Sequence, residues 1–148
     1  ARETDTLHIN FGGVPLTDGV GVSMGNPHIV FFVKDVDEVE LDIIGPQIEH
    51  HPLLPERANI EVVSLLEADR LRMRVWERSS GITQACGSGA CATVVAAHRR
   101  KIARRLAEVV LDGGSLFVEW RESDGHVLMA GPTTMAFRGE LDPAAIII

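Results

Sequence analysis

Residues 87–101 constrain the fold more than any other part of this 148-residue chain. They read as a helix of small residues, and the apolar positions Ala90, Cys91, Ala92, Val94, Val95, Ala96 and Ala97 leave no polar face for about three turns. A helix that is apolar on all sides is buried. Because strand-like segments precede and follow it, we predict an α+β fold in which mostly antiparallel strands curl around one buried central helix.

The strand-like segments are short, rich in β-forming residues and bounded by Gly, Pro and Asp. Before the helix they span residues 6–11, 19–24 and 29–33, followed by a hairpin of 59–65 and 70–77. After it, residues 107–111, 115–120, 126–130 and 134–141 predict an antiparallel meander. Residues 42–50 predict a short helix that ends before Pro52. No linker or repeat divides the sequence, so we expect a single domain over residues 1–148.

The loop before the central helix carries the strongest candidate for chemistry. Cys86 lies where a glycine-rich turn enters the helix, near the positive end of the helix dipole and the unpaired N–H groups of the first turn. Both features favour a thiolate, which predicts a reactive thiol. Gly87 and Ser88 would offer backbone N–H groups to an anion. Cys91, one turn further on, fits the core better.

Charged and polar residues approach the same loop from neighbouring segments. Glu77 and Arg78 end a strand just before it, where a carboxylate could bind an ammonium group and an arginine could grip a carboxylate. Asn26 and His28 lie in a Gly-Asn-Pro-His turn, and Asn59 opens a strand. Turn chemistry alone would also explain these three residues.

Composition and spacing exclude several classes of function. A formal net charge of −7 argues against nucleic acid or an anionic membrane as partner, and no apolar stretch reaches the roughly 20 residues that span a bilayer. The Cys-x4-Cys spacing lacks a second pair of ligands, so we expect no metal site. Two cysteines do not form a disulfide framework, and we therefore expect a reducing, cytoplasmic location.

Taken together, these motifs resemble the C-terminal half of the diaminopimelate epimerase family. The resemblance covers essentially the whole chain. It rests on the segments Gly25-Asn26-Pro27-His28, Trp76-Glu77-Arg78 and Ala85-Cys86-Gly87-Ser88-Gly89-Ala90-Cys91-Ala92, on Asn59 before a strand, and on Met129-Ala130-Gly131-Pro132 and the 137–141 segment. The family is pseudo-symmetric, and its two similar α+β halves face each other across a cleft.

The resemblance implies a cofactor-independent isomerase of lysine biosynthesis, which uses neither pyridoxal phosphate nor metal. One cysteine from each half acts on opposite faces of the substrate, and Cys86 would be one of them. Gly87 and Ser88 would hold the α-carboxylate, and Glu77 the α-ammonium. The distal end of diaminopimelate would contact Asn26, Asn59 and Arg78. His28 would stand beside the reacting centre.

Two departures from the family pattern qualify this expectation. Residues 79–83 differ from the common loop sequence, with little expected consequence. The N-terminal half with the partner cysteine is absent, so we expect a truncated or processed product that is inactive alone and prone to form homodimers. Two alternatives remain open: half of a proline or hydroxyproline racemase-like isomerase, and a non-catalytic binding or dimerisation module of the same fold.

Overall fold

The structure is a computed structural model that describes residues 3–6 and 16–142. After a 3-10 turn at Glu3–Asp5 the strands before the central helix are β1 (Val20–Ser23), β2 (Pro27–Phe32), β3 (Asn59–Glu67), β4 (Arg70–Glu77) and β5 (Gly81–Thr83). Those after it are β6 (Leu106–Leu111), β7 (Gly114–Trp120) and β8 (Val127–Ala130). The two α-helices of this part are α1 (Leu41–Glu49) and α2 (Gly87–Arg99).

Within the described residues, the strands form one eight-stranded sheet of order β1-β2-β3-β4-β6-β7-β8, with β5 paired to β4. The pairs β2–β3 and β4–β6 are parallel and the other pairs are antiparallel. The predicted hairpin is confirmed, with its turn at Ala68 and Asp69, and so is the meander from β6 to β8. The parallel β4–β6 pair joins the two halves of the sheet, which encloses α2 between them.

Helix α2 is the buried centre of the fold, as the sequence predicts. It contacts seven strands, β1 to β4 and β6 to β8, and eight of its residues are buried. Its small side chains allow the sheet to approach closely, and their neighbours include Val30, Val63 and Met73. The helix ends at Arg99, two positions earlier than predicted, with His98 and Arg99 at the negative end of its dipole.

A second apolar cluster lies on the opposite face of the sheet, under α1. Side chains of β2 and β3 that point away from α2, such as Ile29, Phe31 and Ile60, pack against Leu41 and Ile48 there. Strand β4 follows its predicted alternation, because its leucine, methionine and valine are buried while its arginines and tryptophan are partly exposed. At β3 and β4 the sheet is therefore covered on both faces, by α2 on one and α1 on the other.

One predicted strand is wrong. Residues 131–142 have no regular secondary structure, although the alternation of residues 134–141 suggested a strand. Met135, Phe137 and Leu141 are 72%, 85% and 81% exposed. A strand needs a partner for its backbone groups, and these residues pair with no part of the described chain.

Two other sequence predictions lie outside the description. The predicted strand at 6–11 falls almost wholly outside the described residues, and so does the isoleucine-rich end at 144–148. No helix found in residues 3–6 and 16–142 is long and apolar enough to cross a membrane.

Candidate functional site

Cys86 occupies the position that the sequence predicts, immediately before the first turn of α2. Its backbone is extended, with φ −143° and ψ 106°, and it serves as the helix N-cap without a side-chain cap hydrogen bond. The thiol is buried, since Cys86 is only 7% exposed. Its Sγ lies 3.6 Å from the hydroxyl oxygen of Ser88. The N–H groups of Gly87 and Ser88 begin the helix beside it, and both residues are half-buried.

Donors at the helix start favour a thiolate at Cys86, as expected, but burial opposes them. Burial raises the pKa of the Cys86 thiol above its ordinary value, and the carboxylates of Glu77 and Glu61 add to that effect. The Ser88 hydroxyl and the Gly89 backbone N–H lower the pKa, but they do not offset burial. Desolvation of a charged sulfur thus outweighs these two hydrogen bonds.

Glu77 lies at the end of β4, close enough to Cys86 for its charge to act on the thiol. Thr83, on the short strand β5, donates its hydroxyl to Glu77 Oε1 at 2.5 Å. The β4–β5 pairing places Glu77 opposite Gly81, so the loop between them folds back and brings Thr83 to the carboxylate. This partner of Glu77 was not predicted from the sequence.

His28 and Asn26 belong to a buried polar chain that also includes Glu61. His28 is 2% exposed, and its Nδ1 lies 2.6 Å from Glu61 Oε1. Its Nε2 lies 3.1 Å from Asn26 Oδ1. Asn26 in turn donates its amide to Ser88 Oγ at 3.2 Å. The Gly-Asn-Pro-His turn therefore contacts the first turn of α2.

Glu61 is the site residue that sequence reasoning missed. The available signal was an ionisable residue inside the apolar run of β3, because fully buried carboxylates are rare unless they are paired. Burial raises the pKa of Glu61 above its ordinary value, while the neighbouring imidazole of His28 opposes that rise.

Asn59 is buried and uses both ends of its side chain on the protein backbone. Its amide donates to the Pro27 carbonyl at 3.1 Å, and its Oδ1 accepts the Arg78 N–H at 2.9 Å. It thereby connects the Pro27 end of β2 to the end of β4. The Arg78 side chain is exposed and donates to the Glu56 carbonyl at 3.0 Å.

A second buried carboxylate holds the loop after β4. Glu49, at the end of α1, accepts the Trp76 indole N–H at 2.7 Å and the Ser79 N–H at 3.0 Å. Arg57 approaches the same carboxylate at 3.5 Å. Although Glu49 is 1% exposed, these donors hold its pKa below the ordinary value against the effect of burial. Glu49 therefore fixes the backbone that leads from Glu77 and Arg78 into the loop.

The structure thus places all eight predicted site residues in two neighbouring groups. One consists of Cys86, Gly87, Ser88, Asn26 and His28 around the start of α2. The other joins Asn59 to Arg78, whose neighbour Glu77 acts on Cys86 by its charge. Such a cluster of N–H donors, a thiol and carboxylates offers proton transfer next to an anion site.

Comparison with known proteins identifies the family. The diaminopimelate epimerase family model matches residues 20–136. The diaminopimelate epimerase of Rhodospirillum centenum is 58% identical over 141 residues, which cover 95% of this chain and 48% of the relative. That of Acidiphilium cryptum is 51% identical over 146 residues, covering 99% of this chain and 52% of the relative. The chain spans about half the length of the curated relatives that it matches.

Solved structures support the fold alone. A putative phenazine biosynthesis PhzC/PhzF protein from Clostridium difficile aligns over 80% of this chain and 42% of its own length, with a TM-score of 0.55 and 17% identity. At that identity the likeness concerns the α+β architecture and not the chemistry. The family match and the identities to named relatives, by contrast, extend over the strands and helix that build the site. The chain therefore belongs to the diaminopimelate epimerase family.

Proposed function

We propose that this chain supplies one of two acid–base thiols for the cofactor-independent epimerisation of LL-diaminopimelate to meso-diaminopimelate. The observation that carries the proposal is the position of Cys86, a buried thiol beside the free N–H groups of a helix start and two carboxylates. Membership of the family supports the substrate.

In the proposed reaction Cys86 and a second thiol act on opposite faces of the α-carbon. A thiolate on one face takes the α-proton, and the thiol on the other face delivers its own proton to the carbanion. Each thiol therefore ends in the protonation state opposite to the one in which it began. Negative charge grows on the α-carboxylate between these steps, where the N–H groups of Gly87 and Ser88 stabilise it.

The remaining predicted residues bind the ends of the substrate in this proposal. Glu77, already ordered by Thr83, receives the α-ammonium, and its negative charge is then partly neutralised. Lower negative charge beside Cys86 favours the thiolate, which links substrate binding to activation of the base. Arg78 and Asn26 hold the distal amino-acid group. Asn59 supports Arg78 through the backbone, and its direct contact with substrate stays a prediction.

We further propose that residues 1–148 are one domain, the C-terminal half of a two-domain enzyme, and that this half is inactive alone. Cys91 would not replace the missing thiol, because it lies in the helix that Cys86 caps and would face the same side of a bound substrate. The greater length of the relatives supports a second half. So do the exposed Met135, Phe137 and Leu141, an apolar segment that a second half would cover.

The test measures exchange of the substrate α-proton in D2O. The chain is assayed alone and after mixing with the N-terminal half of the Rhodospirillum centenum relative, each as wild type, Cys86→Ala and Cys91→Ala. We expect exchange only in the mixtures, with Cys91→Ala active and Cys86→Ala inactive. Exchange by the chain alone above its Cys86→Ala variant would refute inactivity, and an active Cys86→Ala mixture would refute the site.

Size-exclusion chromatography of the chain alone tests whether it forms the expected homodimer.

A further inference from the structure

Glu61 is the most buried ionisable group in the described part of the chain, and the proposed reaction gives it no role. Its side chain and that of His28 are both 0% exposed. The parallel β2–β3 register places His28 beside Asn59 and Val30 beside Glu61, so the carboxylate reaches diagonally to the imidazole. Its second oxygen, Oε2, has no hydrogen-bond partner in the structure. Burying a carboxylate with one unpaired oxygen costs folding free energy, so the contact of Glu61 with His28 calls for an explanation.

Glu61 also touches the start of α2. A Cβ added at Gly89 would lie 2.9 Å from Glu61 Oε1 and 3.3 Å from Cys86 Sγ. The absence of a side chain at Gly89 therefore allows the carboxylate and the thiol to approach the same turn of backbone. The site is compact enough for a change at Glu61 to reach Cys86.

The four hydrogen-bonding contacts from Glu61 to Cys86 have a direction. Asn26 presents its amide nitrogen to Ser88 and its oxygen to His28, so His28 Nε2 must carry a hydrogen. His28 Nδ1 then shares one proton with Glu61 Oε1, whichever atom holds it. Because Ser88 Oγ accepts from Asn26, the hydroxyl hydrogen of Ser88 stays available to donate to Cys86 Sγ.

We propose that Glu61 is a positioning residue for Cys86: by occupying Nδ1 of His28 it fixes the hydrogen on Nε2, and through Asn26 it aims the Ser88 hydroxyl at the thiol sulfur. The reverse arrangement would leave Nε2 bare, turn the Asn26 amide over and make Cys86 the donor. Glu61 thus selects the arrangement in which the sulfur can accept a hydrogen bond from Ser88. This inference rests on the proposed function only in assigning Cys86 as the base.

The selected arrangement opposes the groups that disfavour a thiolate. Cys86 faces the carboxylates of Glu77 from β4 and Glu61 from β3, and Cys91 lies on its own helix. The Ser88 hydroxyl and the Gly89 N–H act in the other direction. Without a correctly aimed Ser88, the buried sulfur loses one of its two stabilising donors. Glu61 therefore both adds negative charge near the thiol and maintains the donor that offsets it.

The direction of these hydrogen bonds is tested first without any mutation. Two-bond ¹H–¹⁵N spectra of the ¹⁵N-labelled 148-residue chain report which imidazole nitrogen of His28 is protonated, with His28→Gln identifying the signal. We expect a protonated Nε2. An unprotonated Nε2 overturns the proposal directly, and this readout requires neither substrate nor activity.

The coupling to Cys86 is tested with Glu61→Gln and Glu61→Leu. Both variants remove the negative charge, but only glutamine can still hydrogen-bond Nδ1 and keep the hydrogen on Nε2. At pH 7 we expect iodoacetamide to alkylate Cys86 about fivefold faster in Glu61→Gln than in Glu61→Leu, the effect of about one hydrogen bond. With Ser88→Ala in both variants the ratio should fall below about twofold, as a double-mutant cycle requires.

Cys91 provides an internal control, because fragmentation mass spectrometry resolves its alkylation from that of Cys86. A Gln-to-Leu ratio near one, or one that persists with Ser88→Ala, overturns the proposal. So does an equal change at Cys91, which would indicate loosening of α2 rather than positioning. If Glu61→Leu does not fold, the wild-type spectrum still decides the direction of the hydrogen bonds between Glu61 and Cys86. Neither measurement depends on epimerisation, so the proposed function can fail while this inference stands.

Discussion

Replacing Glu49 by glutamine tests whether a buried carboxylate stabilises the loop that follows β4. The glutamine amide has nearly the same volume but only one acceptor oxygen. If that oxygen keeps the Ser79 N–H, the new NH2 group faces the Trp76 indole N–H, which now bonds Glu49 at 2.7 Å. A buried donor is then left unsatisfied. The expected loss in the free energy of unfolding is about 2 kcal/mol, or about 4–8 °C in Tm.

The effect of Glu49→Gln should also depend on pH. The pKa of Glu49 in the folded chain lies below its ordinary value of 4.5, so the unfolded chain binds the proton more tightly. The wild-type advantage over Glu49→Gln is therefore fully present above that ordinary value and is lost as the pH falls through the folded pKa. Glutamine does not titrate, so the difference between the two proteins isolates this group.

Urea unfolding followed by tryptophan fluorescence measures the difference, and Trp76 is one of the two tryptophans of the chain. Glu56→Gln is the matched control, because the Glu56 side chain is exposed. It should change the free energy of unfolding by less than about 0.5 kcal/mol. Equal urea midpoints for Glu49→Gln and Glu56→Gln would refute the reasoning. A difference from wild type that stays constant down to pH 3.5 would refute the assigned charge.

Two further predictions concern packing and the thiol. Gly45→Ala should lower the free energy of unfolding by about 1–3 kcal/mol in urea titrations, because its Cβ would lie 2.6 Å from the Trp76 ring. Gly139→Ala, where a Cβ meets nothing within 4 Å, is the control, and equal losses would count against the packing argument. The alkylation midpoint of Cys86 should lie above pH ~8.5, the value of a free thiol, and should fall in Glu77→Gln because a neighbouring negative charge is removed. A midpoint at or below that of a free cysteine, or one unchanged by Glu77→Gln, would contradict this.

Much of the fold was predictable because local pattern and burial agree. The apolar run in α2 has no solvent-facing side, and the alternation of β4 separates a core face from a partly exposed one. The parallel pairs β2–β3 and β4–β6 were not predicted, since pairing between distant segments leaves little local trace. Residues 134–141 show the converse, because a strand-like pattern forms no strand without a partner.

The sequence predicted which residues would gather near the start of α2, but not their contacts or the effect of burial on their charges. Cys86 lies at the helix start as expected, yet its burial decides its pKa in the direction opposite to the dipole argument. Asn59 was assigned to substrate, while its side chain bonds the backbone of Pro27 and Arg78. Glu61 and Glu49 were missed because a buried carboxylate is stabilised only by donors from other elements, and local sequence does not show which donors those are.

The sequence by itself determined the family and the central helix, because both depend on residue types at fixed spacings along one segment. Only the tertiary structure decided which polar groups meet across segments: Glu61 with His28, Asn26 with Ser88, and Glu49 with Trp76. Desolvation and hydrogen-bond direction depend on distances in space, and these arise when separate strands pack around α2. The position of Cys86 at the helix start was therefore readable from the sequence, but the burial that raises its pKa was not.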